Sequence, residues 1–526
     1  MESSKIKINL VWFKRDLRVF DHEPLLEAQG VGLPILGFYC YEPSVINYPD
    51  FSGRHLDFIN ESLKELKIAL EKINIPLKVF HAELEEVLEN LGKFYEIMGV
   101  YAHEETGNKI TFDRDLRIQS YLKNRGVLFK EFQQFAVVRR LKSRDLWTDY
   151  WGKILDIEPL GFPKVWDKKF HEEINFIFNA APSLTQLHCS NFLSQELLNL
   201  KPDHSNIFRQ QWYRRQIGGE EIANRILSSF LGFRSVDYKN KLSSPVSAFS
   251  QCSRLSPYLS YGNISMRVIL KALKTKILEI NLVLKSSQDN NPETLRLHRH
   301  LKSLSAFQQR LYWHCHFIQK LEDEPEMEFH ALSRSLDGLR DNNNLDYLAA
   351  WKEGETGFAL IDACMKALRE TGWINFRMRA MLCSFATYHL WLDWRPVAHY
   401  LACLFIDYEP GIHYPQIQMQ SGVTGINAIR IYNPEKQLMD QDPHGLFCEY
   451  WLGQNFQTRP KIINLESAAL EAKNKIFEAR KKGQTSADLE RILIKHGSRK
   501  YLGEKSKKQK SQKDKKTDSG QIDLFD

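Results

Sequence analysis

The segment TGWINFRMRAMLCSFATYHLWLDWRP, residues 371–396, combines a mostly apolar helical pattern with three tryptophans and three arginines. Arg377 and Arg379 are two residues apart, so at least one of them must point inward or toward a cavity. A buried guanidinium requires an anionic partner. The later segment LFIDYEPG supplies the carboxylates of Asp407 and Glu409. The sequence therefore predicts an internal ion pair, which either holds a helix end in place or also faces a bound anion.

Length and composition indicate a large globular protein. The 526 residues are 43% hydrophobic and 12% aromatic, which suffices for an extensive core, and the length favours two or three domains. No apolar run approaches the ~18 residues of a membrane span. The first residues, MESSKIKINL, do not follow the pattern of a signal peptide. We therefore expect a cytoplasmic protein without a membrane partner.

The eight cysteines are scattered along the chain and form no C-x-x-C pair. This spacing argues against a zinc ribbon or a local iron–sulfur motif. Reduced cysteines within the core are the simpler interpretation. We expect no metal site.

The net charge of +7 is concentrated near the C-terminus. Residues 495–516 contain ten Lys or Arg and two acidic residues, a balance of +8, which leaves the rest of the chain at −1. A nucleic-acid surface on the folded body must therefore be a local patch, because the overall charge does not supply one.

Apolar and amphipathic segments alternate over residues 1–130 and predict an α/β domain, a parallel sheet with covering helices. Residues 131–205 show little periodicity, and we interpret them as an interdomain connector. Helical periodicity dominates residues 206–460 and predicts an all-α domain. A charged helical extension follows over residues 461–496. Residues 497–526 are too polar to fold, which predicts a disordered basic tail.

The segment CSRLSPYLSYGNISMR, residues 252–267, places small hydroxyl and thiol residues before an apolar helical run. The free N–H groups at such a helix start can hold phosphate oxygens. Ordinary N-capping gives the same pattern, so both interpretations stay open at this point.

Five separated motifs make the chain resemble the photolyase and cryptochrome family. They are VWFKRDLRVFDHEPL near the N-terminus, CSRLSPYLSYGNIS, WKEGETGFALIDACMKALRETGWINFRMR from Trp351, LDWRP, and RIYNPEKQLMDQDPHG from Arg430. They occur in the family's order between residues 6 and 455. The resemblance implies an α/β antenna domain and a helical domain that holds FAD beneath a groove for UV-damaged DNA.

The resemblance also implies the FAD contacts. Tyr238 matches the tyrosine ahead of the phosphate loop, and Cys252 stands in that loop where a threonine is usual. Arg379 matches an arginine that lies over the flavin and pairs with Asp407, and its charge would stabilise the anionic reduced flavin. The further candidates for cofactor binding are Ser253, Arg254, Leu255, Ser256, Phe307, Arg310, His314 and Glu409.

The implied activity is repair of pyrimidine dimers by electron transfer from excited reduced flavin to a lesion flipped into an aromatic pocket. The candidates for lesion or DNA contact are Arg310, Trp313, Trp373, Arg377 and Met419, with Tyr312 as an alternative to Trp313. Arg310 stands where many dimer-specific enzymes have a glutamate, and Phe376 and Ala380 also depart from the common pattern. We interpret the chain as a photolyase for cyclobutane pyrimidine dimers. The alternatives are a (6-4) photolyase, a cryptochrome-type blue-light receptor without repair activity and, ranked lower, a plain FAD redox enzyme.

Of the three tryptophans that refill the flavin with electrons in the family, only the middle one is kept, as Trp394. We expect another electron-transfer route through Trp391 and Trp373, assisted by Tyr388 or Tyr414. His413 takes the place near flavin N5 where asparagine or aspartate is typical. Because histidine titrates near neutrality, this replacement predicts a group that gates flavin protonation.

Two further expectations concern the antenna and the tail. Glu104 or Glu105 lies where the family often contacts a folate, although either could instead cap the helix that starts near Thr111. The identity of the antenna chromophore, folate or another, stays open.

Gln521, Leu524 and Phe525 in the terminal QIDLFD are spaced like the peptide that binds the bacterial sliding clamp, and a frayed end is the alternative. The lysines before it predict salt-sensitive attraction to DNA. A monomer is the family expectation.

Overall fold

The computed structural model describes residues 5–194, 215–286, 291–340, 344–483 and 486–496. Within these ranges no helix is both long enough and apolar enough to cross a bilayer. The chain forms an N-terminal α/β domain followed by a helical domain, as the sequence predicts.

The N-terminal domain is built on a five-stranded parallel sheet with the order β3-β2-β1-β4-β5. Central strand β1 corresponds to the predicted run IKINLVWF and is buried over its last six residues, because helices cover both faces. The strands are β1 (Ile6–Phe13), β2 (Ile35–Cys40), β3 (Leu77–Phe80), β4 (Tyr95–His103) and β5 (Leu128–Phe132).

The predicted connector contains helices that pack on the sheet. Ile174, Phe178 and Leu184 are fully buried in the same cluster as Phe80 of β3. The region around residues 168–187 is therefore a further layer of the α/β domain and does not merely cross the surface. The helices of this part of the chain are α1 (Glu23–Gly30), α2 (Pro43–Ile46), α3 (Gly53–Glu71), α4 (Leu84–Phe94), α5 (Lys109–Lys123), α6 (Trp147–Leu155), α7 (Lys168–Asn179) and α8 (Pro182–Leu187).

The described part of the second domain is helical, with π-helical turns at Phe230–Arg234 and Phe385–His389. Its helices are α9 (Glu220–Ser229), α10 (Tyr238–Lys241), α11 (Pro245–Gln251), α12 (Ser256–Ser260), α13 (Met266–Ser286), α14 (Pro292–Asp323), α15 (Leu345–Glu353), α16 (Ala359–Thr371), α17 (Phe376–Ser384), α18 (Trp394–Leu404), α19 (Pro410–Ser421), α20 (Pro434–Gln441), α21 (Leu446–Leu452), α22 (Leu465–Gly483) and α23 (Ser486–His496).

Residues 371–396 are not one helix, although their apolar pattern suggests it. The segment starts with a left-handed turn at Gly372, forms α17, and is interrupted after the π-helical turn. Trp391 has a φ of +52°, a conformation that L-residues rarely adopt and that ends helical geometry. Helix α18 then starts anew, because the Asp393 side chain accepts a hydrogen bond from the Arg395 N–H at 2.7 Å.

Helices α14 and α19 pack closely against each other at Gly411. A Cβ atom at this position would lie 2.6 Å from the Cα of Ile318 on α14. Only glycine leaves room for such an approach of two backbones. This contact places the first turn of α19 beside the C-terminal part of α14.

Arg54 joins the two domains. This buried side chain on α3 donates hydrogen bonds to the carbonyls of Leu368 at 3.0 Å, Arg369 at 2.7 Å and Leu404 at 2.6 Å. These carbonyls belong to the last turns of α16 and α18, where the helix dipole is negative and backbone partners within the described structure are lacking for Arg369 and Leu404. The Leu368 carbonyl also accepts a hydrogen bond from the Gly372 N–H at 2.9 Å. The guanidinium therefore caps two helices of one domain from a helix of the other.

We expect the substitution Arg54→Met to lower the free energy of unfolding by about 3 kcal/mol, because it keeps the aliphatic stem but leaves the carbonyls of Arg369 and Leu404 unpaired and removes one of two hydrogen bonds to the Leu368 carbonyl. The measurement is urea denaturation followed by circular dichroism. Arg117→Met is the matched control, since the Arg117 side chain is 52% exposed and pairs with Glu85 at the surface. That change should cost less than about 0.5 kcal/mol. Equal effects of the two substitutions would contradict the capping role.

Candidate functional site

A cavity of about 290 Å³ lies among α12, α14, α17 and α19. Most side chains that the sequence analysis selected line it, although they come from distant parts of the chain. They are Tyr238, Cys252, Ser253, Arg254, Ser256, Arg310, Trp313, His314, Trp373, Phe376, Arg377, Arg379, Ala380, Asp407, Glu409 and His413.

The predicted pair between Arg379 and Asp407 is present at this cavity. The two Nη atoms of Arg379 donate to the two carboxylate oxygens of Asp407 at 3.0 and 2.9 Å. The Arg379 Nε–H donates to the Ile374 carbonyl at 2.8 Å, and the guanidinium lies 4.2 Å from the ring centre of Phe405. A two-bond pair fixes the plane of the guanidinium, so its position in the cavity wall is set before any ligand binds.

Glu409 connects the cavity to the α/β domain. Its Oε2 accepts a hydrogen bond from Nη2 of Arg15 at 2.5 Å. Burial raises the pKa of the Glu409 carboxyl, and the Arg15 charge opposes that shift. Among the described residues no group bonds the other oxygen, Oε1, although this atom is buried. Glu409 therefore keeps an acceptor for a ligand in the cavity.

The loop that was predicted to hold phosphate presents the Arg254 side chain to the cavity. Helix α12 after it has only five residues, and Arg254 before it adopts a φ of +60°. The Arg254 guanidinium stacks 4.1 Å over Trp373 and donates from Nε to the Gln216 side chain at 2.9 Å. Its Nη1 is buried without a hydrogen-bond partner in the described chain. An anion is the natural partner for this atom.

The side chains of two predicted cofactor-binding residues do not line the described cavity. Leu255 is 1% exposed and Phe307 is 2% exposed, and neither side chain reaches the described cavity wall. Phe307 packs behind Tyr238, with 6.0 Å between the ring centres, because its position on α14 faces the core. Its role is to support Tyr238.

The prediction that His413 titrates near neutrality is wrong. Its Nε2–H donates to the Ala398 carbonyl at 2.9 Å, and burial lowers the pKa of its imidazole to about 3. His314, which also lines the cavity, has its pKa lowered to about 3 by burial and secondarily by the charge of Arg15. Both rings are therefore neutral at physiological pH, and His413 cannot switch flavin protonation by gaining a proton there.

The tryptophans predicted to relay electrons occupy different environments. Trp373 lines the cavity, whereas Trp391 and Trp394 are not part of its described wall. Trp394 is 2% exposed at the start of α18, and Trp391 lies between the cations of Arg340 at 4.5 Å and Lys475 at 4.8 Å. Met419, predicted to touch DNA, is half-buried on α19 and is also outside the described wall.

Gln416 is a functional candidate that the motif comparison missed. It lies on the cavity face of α19 with Ile412, His413 and Gln420, at the three- and four-residue spacing of one helix face. Both its amide oxygen and its amide nitrogen are buried, and neither is bonded within the described structure. The helical spacing from His413 was the signal that could have found it.

A second cavity, of about 120 Å³, lies at the carboxyl ends of the strands. Its wall includes Glu105, whose Oε2 accepts a hydrogen bond from Arg114 at 2.8 Å. The N-cap of α5 is Asn108, so Glu105 does not cap that helix. Glu104 is not among the described wall residues and lies 3.5 Å from Arg139. Position at the strand ends is typical of ligand sites in parallel sheets.

The buried polar groups of the larger cavity that lack a partner in the described structure match the hydrogen-bonding needs of flavin adenine dinucleotide. Nη1 of Arg254 and the Gln416 amide nitrogen can donate, while the Gln416 amide oxygen and Oε1 of Glu409 can accept. Pyrophosphate needs donors, and the ring and sugar N–H and O–H groups need acceptors. The structure supplies both kinds next to the aromatic and apolar surfaces of Trp373 and Phe405.

Two family models match the chain. The DNA photolyase model covers residues 9–142, and the model for the FAD binding domain of DNA photolyase covers residues 307–499. The chain belongs to the photolyase and cryptochrome family. Its helical domain is accordingly a photolyase-type FAD-binding domain, and the predicted cofactor is confirmed.

Individual relatives are similar at low identity. A chloroplastic or mitochondrial cryptochrome DASH from Solanum lycopersicum is 24% identical over 85% of this chain and 77% of its own length. A deoxyribodipyrimidine photo-lyase from Buchnera aphidicola is 27% identical over 84% of this chain and 87% of its own. An archaeal photolyase from Sulfolobus tokodaii, solved with two FAD molecules, has a TM-score of 0.67 and 24% identity and covers 90% of this chain and all of its own. That structural match shows the fold.

We expect Arg254→Met to weaken FAD binding by about tenfold or more, because the substitution removes a buried charged donor from the wall of the cavity. The measurement is titration of the apoprotein with FAD, followed by quenching of flavin fluorescence. Arg369→Met is the control, since Arg369 pairs with Glu353 at the surface. An unchanged affinity in the Arg254 variant would contradict the assignment of Nη1.

The buried neutral histidines make stability depend on pH. In the unfolded chain His314 and His413 take up protons near pH 6.5, whereas in the fold they stay neutral down to about pH 3. Their contribution is therefore complete above pH 6.5 and declines as the pH falls toward 3, by about 2 kcal/mol per residue at pH 5.

We expect His413→Gln to reduce this pH dependence, because glutamine takes up no proton on unfolding. The measurement compares free energies of unfolding from urea titrations at pH 7 and pH 5 for the variant and the wild type. An identical pH dependence in both proteins would show that His413 does not titrate differently in the fold.

Proposed function

We propose that the protein is a light-driven DNA repair enzyme that splits cyclobutane pyrimidine dimers with electrons from reduced FAD. The observation that carries the proposal is a group of partly exposed aromatic and cationic side chains at the cavity. Trp313, Phe376, Arg310 and Arg377 all line it, and none is fully buried. Contacts to FAD alone do not call for such a surface, whereas flipped bases stack on aromatic rings and their phosphates pair with arginine.

The α14 residues form one side of this surface. Trp313 packs against Phe317, with 5.9 Å between the ring centres, and both line the cavity. Trp373 forms another wall, where Arg254 lies against its ring. We propose that these indoles hold the dimer in a dry pocket and that Arg310 and Arg377 bind the strand around it. The partial exposure of the two arginines keeps their desolvation cost low until DNA arrives.

The bound FAD supplies the photochemical electron, and the protein supplies position and charge. Arg379 places a fixed positive charge in the wall, which Asp407 orients. This charge favours the reduced anionic form of the ring. Neutral His413 adds no charge. No general base is required, because the splitting of the dimer returns the electron.

Three further assignments belong to this proposal. Trp394, Trp391 and Trp373 carry electrons toward the flavin. The second cavity binds an antenna chromophore near Glu105, a proposal supported by the two FAD molecules in the related archaeal structure. The terminal QIDLFD, with Gln521, Leu524 and Phe525, binds a bacterial sliding clamp, and this tail lies outside the described residues.

The test uses oligonucleotides that carry a single cyclobutane dimer or a single (6-4) photoproduct. Wild-type protein with chemically reduced flavin is illuminated with blue light, and restored thymines are measured by chromatography. We expect restoration of the cyclobutane substrate only, and none in the dark. Trp313→Ala should lower repair by about tenfold or more through lost stacking. Repair of the (6-4) substrate alone would identify a (6-4) photolyase, and repair of neither would identify a receptor.

A further inference from the structure

Tyr408 forms part of the wall between the two cavities. It lies between Asp407 and Glu409 in the chain, and its side chain is among the lining residues of both the larger cavity and the second cavity. The residue is half-buried, and its place in the wall of the larger cavity would bring it close to a cofactor bound there. No other side chain among the described lining residues is shared by both cavities.

The hydroxyl of Tyr408 donates a hydrogen bond of 2.5 Å to Oδ2 of Asp50, which also accepts from the Asn108 amide at 3.0 Å. Burial raises the pKa of Asp50 to about 6. Burial also raises the pKa of Tyr408. The tyrosine thus stays protonated in its resting state, and the carboxylate beside it is a stronger base than an exposed aspartate.

The surroundings of the Tyr408 ring hold it in place. His55 stacks on it nearly parallel, at 6.0 Å between ring centres and 16° between planes. His413 meets it edge-on at 5.2 Å. Both imidazoles bond backbone carbonyls, of Phe405 and Ala398 respectively. A fixed ring with a proton acceptor in hydrogen-bond reach is the arrangement that proton-coupled oxidation of a phenol needs.

We propose that Tyr408 is a redox-active residue that gives one electron to photoexcited oxidised flavin while its phenolic proton moves to Asp50. The electron leaves the Tyr408 ring for the flavin, and the O–H bond breaks as the proton binds the carboxylate. Tyr408 is then a neutral radical and Asp50 a carboxylic acid. A soluble thiolate returns one electron, Asp50 returns the proton, and two oxidised thiols couple to a disulfide.

This inference rests on FAD in the larger cavity and concerns the preparation of the reduced cofactor, so it is separable from dimer repair. The test uses the full chain with oxidised FAD under anaerobic blue light with dithiothreitol, and the flavin absorbance gives the photoreduction rate. We expect Tyr408→Phe to lower the initial rate by about tenfold. Asp50→Asn should lower it similarly, because the amide cannot accept the proton.

Tyr48→Phe is the matched control. Its hydroxyl also donates to a carboxylate, Oε1 of Glu328, at 2.6 Å, and Tyr48 lies outside the described walls of both cavities. This variant should photoreduce at the wild-type rate. FAD content and circular dichroism report whether each variant is folded. If Asp50→Asn does not fold, Tyr408→Phe alone still decides the test.

Electron paramagnetic resonance identifies the radical directly. Protein that carries ring-deuterated tyrosine, illuminated without thiol and frozen, should show a narrowed tyrosyl signal that Tyr408→Phe abolishes. A persisting signal or a wild-type rate in that variant would overturn the inference. A wild-type protein that forms the radical but repairs no dimer would support this inference and contradict the proposed repair function.

Discussion

The two hydrogen bonds between Arg379 and Asp407 are the interaction on which the site depends. A guanidinium in a mostly apolar wall is stable only with a carboxylate in its plane, and Asp407 provides that carboxylate from the loop before α19. The next two residues of the same loop bind other parts of the protein, since Tyr408 reaches Asp50 and Glu409 reaches Arg15. The loop of residues 407–409 is thus bonded to α17 on one side and to the α/β domain on the other.

This arrangement makes the two domains one functional unit. Arg15 and Arg54 both extend from the α/β domain, and each bonds acceptors of the helical domain. The first fixes a carboxylate of the larger cavity, and the second fixes the C-terminal ends of α16 and α18. A change in how the domains pack would therefore change the shape of the cavity as well. The second cavity, which has Arg15 in its wall, shares this dependence.

Much of the architecture could be predicted because it depends on local periodicity. The strand pattern of β1 and the apolar spacing of α14 and α16 are visible in the sequence, and the spacing of five motifs indicated the Arg379–Asp407 pair. The protonation of His413 could not be predicted, because it depends on how deeply the imidazole is buried and on the Ala398 carbonyl. The interruption at Trp391 was missed because a left-handed tryptophan has no signal in hydrophobic periodicity. The packing of Phe178 against Phe80 was missed because it joins segments that lie far apart in the chain.

Gly411 affects how tightly a planar ring can be held between α14 and α19. The backbone of α19 touches that of α14 at Ile318, so the width of the slot between these helices is set by contact between main chains and not by side chains that can rotate. The backbones of packed helices move apart far less readily than side chains change rotamer. A planar molecule held in such a slot would have little freedom to tilt. Because Gly411 has no Cβ atom, the helices come close enough to restrict the orientation of that molecule's transition dipole relative to its neighbours.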